Sequence, residues 1–295
     1  MATIDRVITG DKSIRAFFAR TTDMAETARQ MHGLNPVACA ALGRLLTCGS
    51  IMGLMMKSPD DLLTVKMDGD GPMGGLLVTA GADGHVKGYV YRNDFQGYAR
   101  PDGKLDVGGA LGNGTLTVMK DLGLKEPYHS TTPLLTGEIG DDMTYYFATS
   151  EQTPSAVGAG VLMDREDASV RVAGGFIVQL LPSADETVIA RLEKNLAEIP
   201  SVTDLLAADA AGTETLMRRV LDGLMPEVME TVETVYRCDC DRERVERAVF
   251  SLSSTELQEM ADAGEPITVN CHFCDKVYHF TPAELAAAAT RQNKK

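Results

Sequence analysis

The sequence lacks the features that would place a protein in or across a membrane. No apolar run approaches the roughly 20 residues that a helix needs to cross a bilayer. Residues 1–6 lack the basic start and apolar core of a signal peptide. We therefore expect a cytoplasmic protein with no membrane partner. In that reducing compartment, paired cysteines indicate metal ligands or redox switches rather than structural disulfides.

Positive charge is also scarce. The 28 lysines and arginines are outnumbered by 42 aspartates and glutamates, which gives a net charge of −14 at pH 7. Because such a surface repels the phosphate backbone, the sequence predicts no nucleic-acid partner. The acidic excess is concentrated in residues 185–236, where 11 acidic residues accompany 4 basic ones.

Only six cysteines occur, and four of them form two close pairs near the C-terminus. Cys238 and Cys240 make a CxC motif, and Cys271 and Cys274 follow as CxxC after 30 intervening residues. This spacing is typical of a tetrahedral site with four thiolates, so we predict that these residues bind one Zn2+. Because four thiolates leave no open coordination position, the predicted role of the metal is structural or regulatory rather than hydrolytic.

The predicted zinc site has a redox chemistry of its own. Zinc-bound thiolates are deprotonated, and the thiolate is the form that oxidants attack. Cα atoms two residues apart in an extended chain lie about 6.5–7 Å apart, so a Cys238–Cys240 disulfide would be strained and easily reduced again. Oxidation would also release the metal. Zinc binding contributes about 10–16 kcal/mol to folding and a small core about 3–5 kcal/mol, so we expect oxidation to unfold the C-terminal unit.

The pattern of apolar and turn-forming residues predicts an α+β protein in three parts. Residues 1–183 are predicted to form an N-terminal mixed α/β core domain with antiparallel sheets, built around a buried apolar helix at 37–57. Residues 184–236 are predicted to form an all-helical linker, and residues 237–295 a small C-terminal zinc-binding domain. The strands predicted in the first part are 14–20, 62–67, 74–80, 85–91, 115–120, 156–163 and 170–181.

The predicted linker consists of four short apolar stripes. Three precede Pro226, and the fourth comprises Val228, Val232 and Val235. Each stripe is near or below the ~12–15 residues at which an isolated helix is marginal, so its order must come from packing on neighbours. The sequence therefore indicates a segment that is suited to regulated unfolding.

No active site is predicted, and the chain is interpreted as a non-enzyme. His85 and His129 are isolated, and the glycine-rich residues 108–114 are not followed by the Lys-Ser/Thr of a phosphate loop. Cys39 and Cys48 lie on the apolar helix and are predicted to be small buried hydrophobes. His272 and His279 are alternative metal ligands, but four thiolates already complete the tetrahedron.

Beyond the cysteine pairs, the chain resembles the 33-kDa chaperonin family of heat-shock proteins, which are redox-regulated holdase chaperones of bacteria. The resemblance covers nearly the full length. The segments that carry it, besides the CxC and CxxC pairs, are 69–72 (GDGP), 84–89 (GHVKGY), 116–123 (LTVMKDLG), 126–128 (EPY), 137–139 (GEI), 144–147 (TYYF) and 150–158 (SEQTPSAVG).

The resemblance implies a zinc-bound, inactive monomer in the reduced state. Oxidation is then expected to form Cys238–Cys240 and Cys271–Cys274 disulfides, release zinc, and unfold the C-terminal domain and the linker. The active form is expected to be a homodimer that binds unfolding client proteins without ATP. Our hypothesis for the client surface is the set of apolar stripes at 185–235.

Two other functional classes remain open at the level of sequence. A zinc-ribbon module that binds a protein or nucleic acid would need a basic face, whereas residues 237–295 hold 10 acidic and 8 basic residues. A metal-dependent or thiol-disulfide enzyme would need an open coordination position or a βαβ context around CxxC. Neither is visible in the sequence.

Overall fold

The structure of the protein is a computed structural model, which describes residues 1–96, 100–101, 103–209 and 212–292. The chain forms two compact units, Met1–Arg237 and Cys238–Lys295. The predicted α+β class, with antiparallel sheets and a small unit that holds four clustered cysteines, is confirmed. Residues 184–236 belong to the first compact unit, and the division into three parts stays a prediction. Residues 293–295 of the predicted C-terminal domain lie outside the described residues.

The first unit contains ten strands and seven helices among its described residues. The strands are β1 (Ala2–Thr9), β2 (Ile14–Arg20), β3 (Leu62–Gly69), β4 (Gly75–Gly81), β5 (His85–Val90), β6 (Gly114–Asp121), β7 (Tyr128–Pro133), β8 (Ser155–Met163), β9 (Val170–Leu180) and β10 (Pro226–Tyr236). The helices are α1 (Thr22–His32), α2 (Pro36–Leu54), α3 (Val107–Leu111), α4 (Ile139–Thr149), α5 (Glu186–Glu198), α6 (Val202–Ala207) and α7 (Glu214–Val220).

The ten strands pair in the order β7-β6-β3-β4-β5-β10-β1-β2-β9-β8. All neighbours are antiparallel except β5 and β10, which run parallel and pair only at Val235–His85 and Tyr236–Val86. Gly84 makes this junction possible, because its φ is +84° and a Cβ there would lie 2.5 Å from the carbonyl oxygen of Glu233. Two antiparallel halves are thus joined along a short parallel seam.

Helix α2 forms the centre of the first hydrophobic core. Asn35 caps it by accepting a hydrogen bond from the Ala38 N–H at 2.9 Å, and Pro36 occupies the first turn. All of its residues except Pro36 and Arg44 are buried. Among the described helices, α2 alone is long and apolar enough to cross a membrane, but 94% of its apolar stretch is buried in the fold. This burial agrees with the predicted core helix.

Helices α5, α6 and α7 cover the other face of the β1-β2-β9 sheet. Successive side chains of a strand alternate between faces, so Phe17 and Ile177 join the core around α2, whereas Phe18 and Val178 join a second core. The second core also contains Leu192, Leu205, Leu206, Leu216 and Val220 from the three helices. The linker helices therefore bury an apolar sheet face together with their own apolar stripes.

The prediction of a fourth helical stripe in the linker is wrong. Residues Pro226–Tyr236 form strand β10, which pairs with β1 from Ala2–Thr234 to Thr9–Pro226. Val228, Val232 and Val235 match a helical face by their spacing of four and three. However, the segment is rich in β-branched residues and lies beside β1, whose backbone supplies hydrogen bonds along its whole length. The linker is therefore helical only before Pro226.

The second unit is a small α+β assembly. It contains α8 (Arg242–Val249), α9 (Ser254–Asp262), β11 (Ile267–Asn270), β12 (Val277–Phe280) and α10 (Pro282–Gln292), with β11 and β12 paired as an antiparallel hairpin. A full capping box at Ser253 and Glu256 begins α9. The buried core consists of Val249, Leu257, Phe280, Leu285, Ala288 and Ala289.

Candidate metal centre

The CxC and CxxC motifs lie on two different kinds of backbone. Cys238 and Cys240 belong to an irregular segment that ends where Asp241 caps α8 by accepting a hydrogen bond from the Arg244 N–H at 2.7 Å. Cys271 and Cys274 belong to the turn between β11 and β12. The start of α8 and the β11–β12 hairpin therefore position the two pairs.

The turn that carries CxxC is closed by backbone hydrogen bonds. The N–H groups of Cys274 and Asp275 donate to the carbonyl of Cys271 at 3.3 and 2.8 Å, and the Cys271 N–H donates to the carbonyl of Lys276 at 2.9 Å. Asp275 adopts a left-handed conformation with φ of 55°. This conformation turns the chain back towards β12, and the carbonyl of Lys276 accepts the Cys271 N–H.

The four predicted ligands meet at one point. The Sγ atoms of Cys238, Cys240, Cys271 and Cys274 all lie within 4.8 Å of one another. The Sγ atoms of Cys238 and Cys271 are 3.7 Å apart, and those of Cys240 and Cys274 are 3.2 Å apart. A tetrahedron with Zn–S bonds of 2.3 Å has edges of about 3.8 Å, so the four sulfurs fit a tetrahedral metal site. All four cysteines are partly exposed.

Hydrogen bonds distinguish three of the sulfurs, those of Cys238, Cys240 and Cys274. Burial raises the pKa of Cys238 to about 11, although the Cys240 N–H donates to its sulfur. Burial also opposes ionisation of Cys240, but hydrogen bonds from Tyr278 and the neighbouring thiols outweigh burial and lower its pKa to about 7. Burial raises the pKa of Cys274 against a hydrogen bond from the Lys276 N–H. Of these three cysteines, Cys240 thus has the environment that most favours the thiolate.

Tyr278 is the functional neighbour that motif spacing does not predict. Its hydroxyl lies 3.2 Å from Cys240 Sγ. Alternation along β12 puts Tyr278 on the same face as Phe280, which is fully buried, so the strand pattern next to the CxxC motif could have identified it.

The remaining candidate residues lie outside the sulfur cluster. His279 is exposed on β12, with Nδ1 3.2 Å from Thr268 Oγ1. His272 is also exposed, and the described cluster contains neither histidine. Cys39 and Cys48 are buried in α2, and burial raises both pKa values to about 12. The prediction that these two are buried apolar residues is confirmed.

Comparison with known proteins gives one consistent result. The model of the Hsp33 protein family matches residues 3–281. The chain is 52% identical over 291 residues to the 33 kDa chaperonin of Lachnoclostridium phytofermentans, covering 98% of this chain and 99% of that one. It is 46% identical over 281 residues to the 33 kDa chaperonin of Clostridioides difficile, covering 95% of this chain and 96% of that one. The crystal structure of the 33 kDa chaperonin from Thermotoga maritima matches with a TM-score of 0.89 at 33% identity, covering 99% of both chains.

Proposed function

Because the chain belongs to the Hsp33 family of chaperones, we propose that it is a redox-regulated, ATP-independent holdase that binds unfolding client proteins. In this proposal the reduced protein is an inactive, zinc-bound monomer of the cytoplasm. Oxidation of the four C-terminal cysteines releases zinc and unfolds the second unit and the linker. The active form is a homodimer, and the protein has no catalytic, nucleic-acid-binding or membrane role.

One observation carries this proposal: the sulfur cluster lies in a compact unit whose own core is very small. Four sulfurs within 4.8 Å form the cluster, and the buried core of the unit comprises six apolar residues, two of them alanine. A core of this size contributes about 3–5 kcal/mol, and a four-cysteine zinc site about 10–16 kcal/mol. The metal site thus supplies most of the folding free energy of this unit, and chemistry at its sulfurs controls whether the unit is folded.

Bound zinc supplies a positive charge that keeps the four thiols deprotonated. A thiolate sulfur attacks one oxygen of a hydroperoxide, and the O–O bond breaks. The cysteine becomes a sulfenic acid, and the other oxygen leaves as hydroxide or alkoxide. A second cysteine sulfur then attacks the sulfenic sulfur, which forms a disulfide and expels hydroxide, released as water once protonated. The reduced geometry does not select a pairing, because every sulfur is near all the others. We therefore propose the pairs that the family suggests, Cys238–Cys240 and Cys271–Cys274.

The client surface in this proposal is the apolar material that the linker helices bury. Leu192 of α5 is 6% exposed and Leu196 packs beside it against the second core. The same helices cover Phe18 and Phe176 of the sheet. If the helices detach after oxidation, both surfaces become accessible at once, while the acidic outer faces of the helices keep the protein soluble.

The test of the proposal measures client aggregation and zinc release in the same samples, before and after treatment with peroxide. The expected result is no suppression in the reduced state, and suppression that rises in parallel with released zinc. Zinc release without any gain in suppression would refute the chaperone mechanism.

The client surface is tested with the double variant Leu192→Ser/Leu196→Ser. We expect it to suppress aggregation less than the parent protein after oxidation. The matched control is Glu193→Ser/Ala197→Ser, which changes two exposed positions of the same helix. If the leucine variant were as active as this control after oxidation, the client surface would lie elsewhere.

A further inference from the structure

Tyr278 is held against one particular sulfur of the cluster by the register of the β11–β12 hairpin. Tyr278 pairs with Val269, and Phe280, two residues further on, enters the buried core. Because both side chains lie on one face of β12, the anchored Phe280 fixes the direction of Tyr278. The hydroxyl reaches Cys240 Sγ at 3.2 Å, which is hydrogen-bonding distance for a sulfur acceptor.

The donor to Cys240 differs in kind from the donors to two other sulfurs. The sulfur of Cys238 accepts the backbone N–H of Cys240, and the sulfur of Cys274 accepts the backbone N–H of Lys276. Any residue other than proline supplies such an N–H, so those two bonds depend on backbone shape alone. The bond to Cys240 depends on a phenol hydroxyl, which a single substitution removes.

A hydrogen bond to a thiolate withdraws electron density from the sulfur and makes it a weaker nucleophile. The bond must also be weakened when the sulfur donates its electron pair to a peroxide oxygen, since the negative charge that attracts the hydroxyl hydrogen disappears. Attack at Cys240 therefore carries a cost that the Tyr278 hydroxyl imposes and that a substitution of Tyr278 removes, whereas the backbone donors to Cys238 and Cys274 remain in such a variant. All four cysteines are partly exposed, so exposure alone does not decide which sulfur the oxidant attacks first.

We infer that Tyr278 is a positioning residue that protects Cys240 from hydroperoxides, so that oxidation begins at another sulfur of the cluster and needs more oxidant. This inference rests on the proposed redox function. The step itself is the one written above, in which a thiolate and a hydroperoxide give a sulfenic acid and hydroxide or alkoxide. Tyr278 neither gains nor loses a proton in it and changes only which sulfur reacts first.

The test uses the full-length, zinc-loaded protein and the isosteric variant Tyr278→Phe. Limiting hydrogen peroxide is added in the presence of dimedone, which traps sulfenic acids, and mass spectrometry quantifies the label on each cysteine. Loss of one hydrogen bond to a charged group corresponds to roughly a tenfold change in rate. We expect the ratio of label on Cys240 to label on Cys238 to rise by about that factor, and zinc, followed with a metallochromic dye, to be released faster.

The matched control is Thr268→Val, which removes a hydroxyl of the same hairpin. That hydroxyl hydrogen-bonds to His279 and to no cysteine of the described cluster. This variant is expected to keep the parent labelling ratio. An unchanged ratio in Tyr278→Phe would overturn the inference and leave the proposed function intact. If peroxide released no zinc from the parent protein, the proposed function itself would fail.

A second variant covers the case in which Tyr278→Phe does not retain zinc. Site-specific replacement of Tyr278 by 3-fluorotyrosine keeps the ring and makes the hydroxyl a stronger donor. The inference then requires the Cys240 to Cys238 labelling ratio to fall below that of the parent protein. A ratio equal to the parent ratio or above it would contradict the inference.

Discussion

At the scale of single residues, the CxxC turn depends on a backbone conformation that most side chains avoid. Asp275 has a φ of 55°, a left-handed value that costs about 1–2 kcal/mol for most residues and less for Asp, Asn and Gly. Its N–H donates to the Cys271 carbonyl at 2.8 Å and so helps to close the turn. The conformation of this one residue is therefore part of the candidate metal site.

We expect Asp275→Val to weaken zinc binding by about tenfold, because a β-branched side chain adds roughly 1–2 kcal/mol of strain at this φ. Asp275→Gly is the control, and it is expected to bind zinc more tightly than the valine variant because glycine adopts this φ without strain. Competition with a chromophoric chelator under reducing conditions measures both affinities. Equal affinities for the valine and glycine variants would show that the backbone conformation does not limit the site.

Asp142 in α4 provides a second residue-scale prediction. Its side chain is fully buried, and Oδ1 accepts the N–H groups of Leu135 and Thr136 at 2.6 and 3.2 Å. Burial raises the pKa of the Asp142 carboxyl above its ordinary value of 3.8, against the lowering effect of these N–H groups. Folding therefore favours the protonated form, so the free energy of unfolding falls as pH rises from 3.8 through the folded pKa.

Asp142→Asn keeps an acceptor oxygen and carries no charge, so we expect its stability relative to the parent to increase across that pH range. Asp142→Leu leaves two buried N–H groups without this acceptor and is expected to cost roughly 2–5 kcal/mol. Urea unfolding of the reduced protein, followed by circular dichroism at a series of pH values, measures both effects. A stability difference for Asp142→Asn that did not change with pH would contradict the raised pKa.

The sequence was a good guide to residues whose chemistry depends on spacing, and a poor guide to those placed by register. The cluster of four sulfurs was predicted because two short motifs each bring their own sulfurs together. Tyr278 was missed because its position beside Cys240 follows from the β11–β12 pairing and from burial of Phe280. Asp142 was missed for the same reason, since the N–H groups that donate to its carboxylate belong to a loop that precedes α4.

At the scale of elements, prediction succeeded where one pattern dominated and failed where tertiary pairing decided the outcome. Helix α2 and strands β3 to β6 were predicted because their apolar residues and turn residues agree. Strand β7 was missed because its residues are polar and mostly exposed at the edge of the sheet. Strand β10 was predicted to be a helix because its valines are spaced by four and three, and only the pairing with β1 reveals the strand.

The linker helices supply the element-scale prediction. Leu216 of α7 is fully buried in the second core, between the helices and the sheet. Leu216→Ala is expected to cost about 2–5 kcal/mol, and this cost falls on a helix of seven residues that is not stable alone. We therefore expect the reduced, zinc-bound variant to bind an apolar dye and to suppress client aggregation partially without oxidant.

The control for this prediction is Arg219→Ala, which truncates an exposed side chain of the same helix. It is expected to behave like the parent protein in the reduced state, both in dye binding and in the aggregation assay. If Leu216→Ala were destabilised but still inactive without oxidant, packing of α7 would not restrain chaperone activity.

At the scale of the whole molecule, the two units differ in what stabilises them. The first unit holds two extensive hydrophobic cores, one around α2 and one beneath the linker helices. The second unit buries six apolar residues and, in the proposed function, depends on a metal held by its four cysteines. We therefore expect the unfolding caused by metal removal to be confined to the residues after Arg237, where the first unit ends.

Chelation of the reduced protein is expected to unfold the second unit and leave the first unit folded. Trypsin should then cut rapidly at Arg244 and Arg247 of α8, whereas Arg171 within strand β9 stays protected. The linker provides the decisive comparison, because Arg191 and Lys194 lie on the exposed side of α5 and are cut only when that helix opens locally. Slow cutting in α5 after chelation, but fast cutting after peroxide treatment, would mean that oxidation does more than remove the metal. Equally fast cutting would mean that metal loss alone releases the linker, and simultaneous loss of Arg171 protection would contradict the independence of the two units.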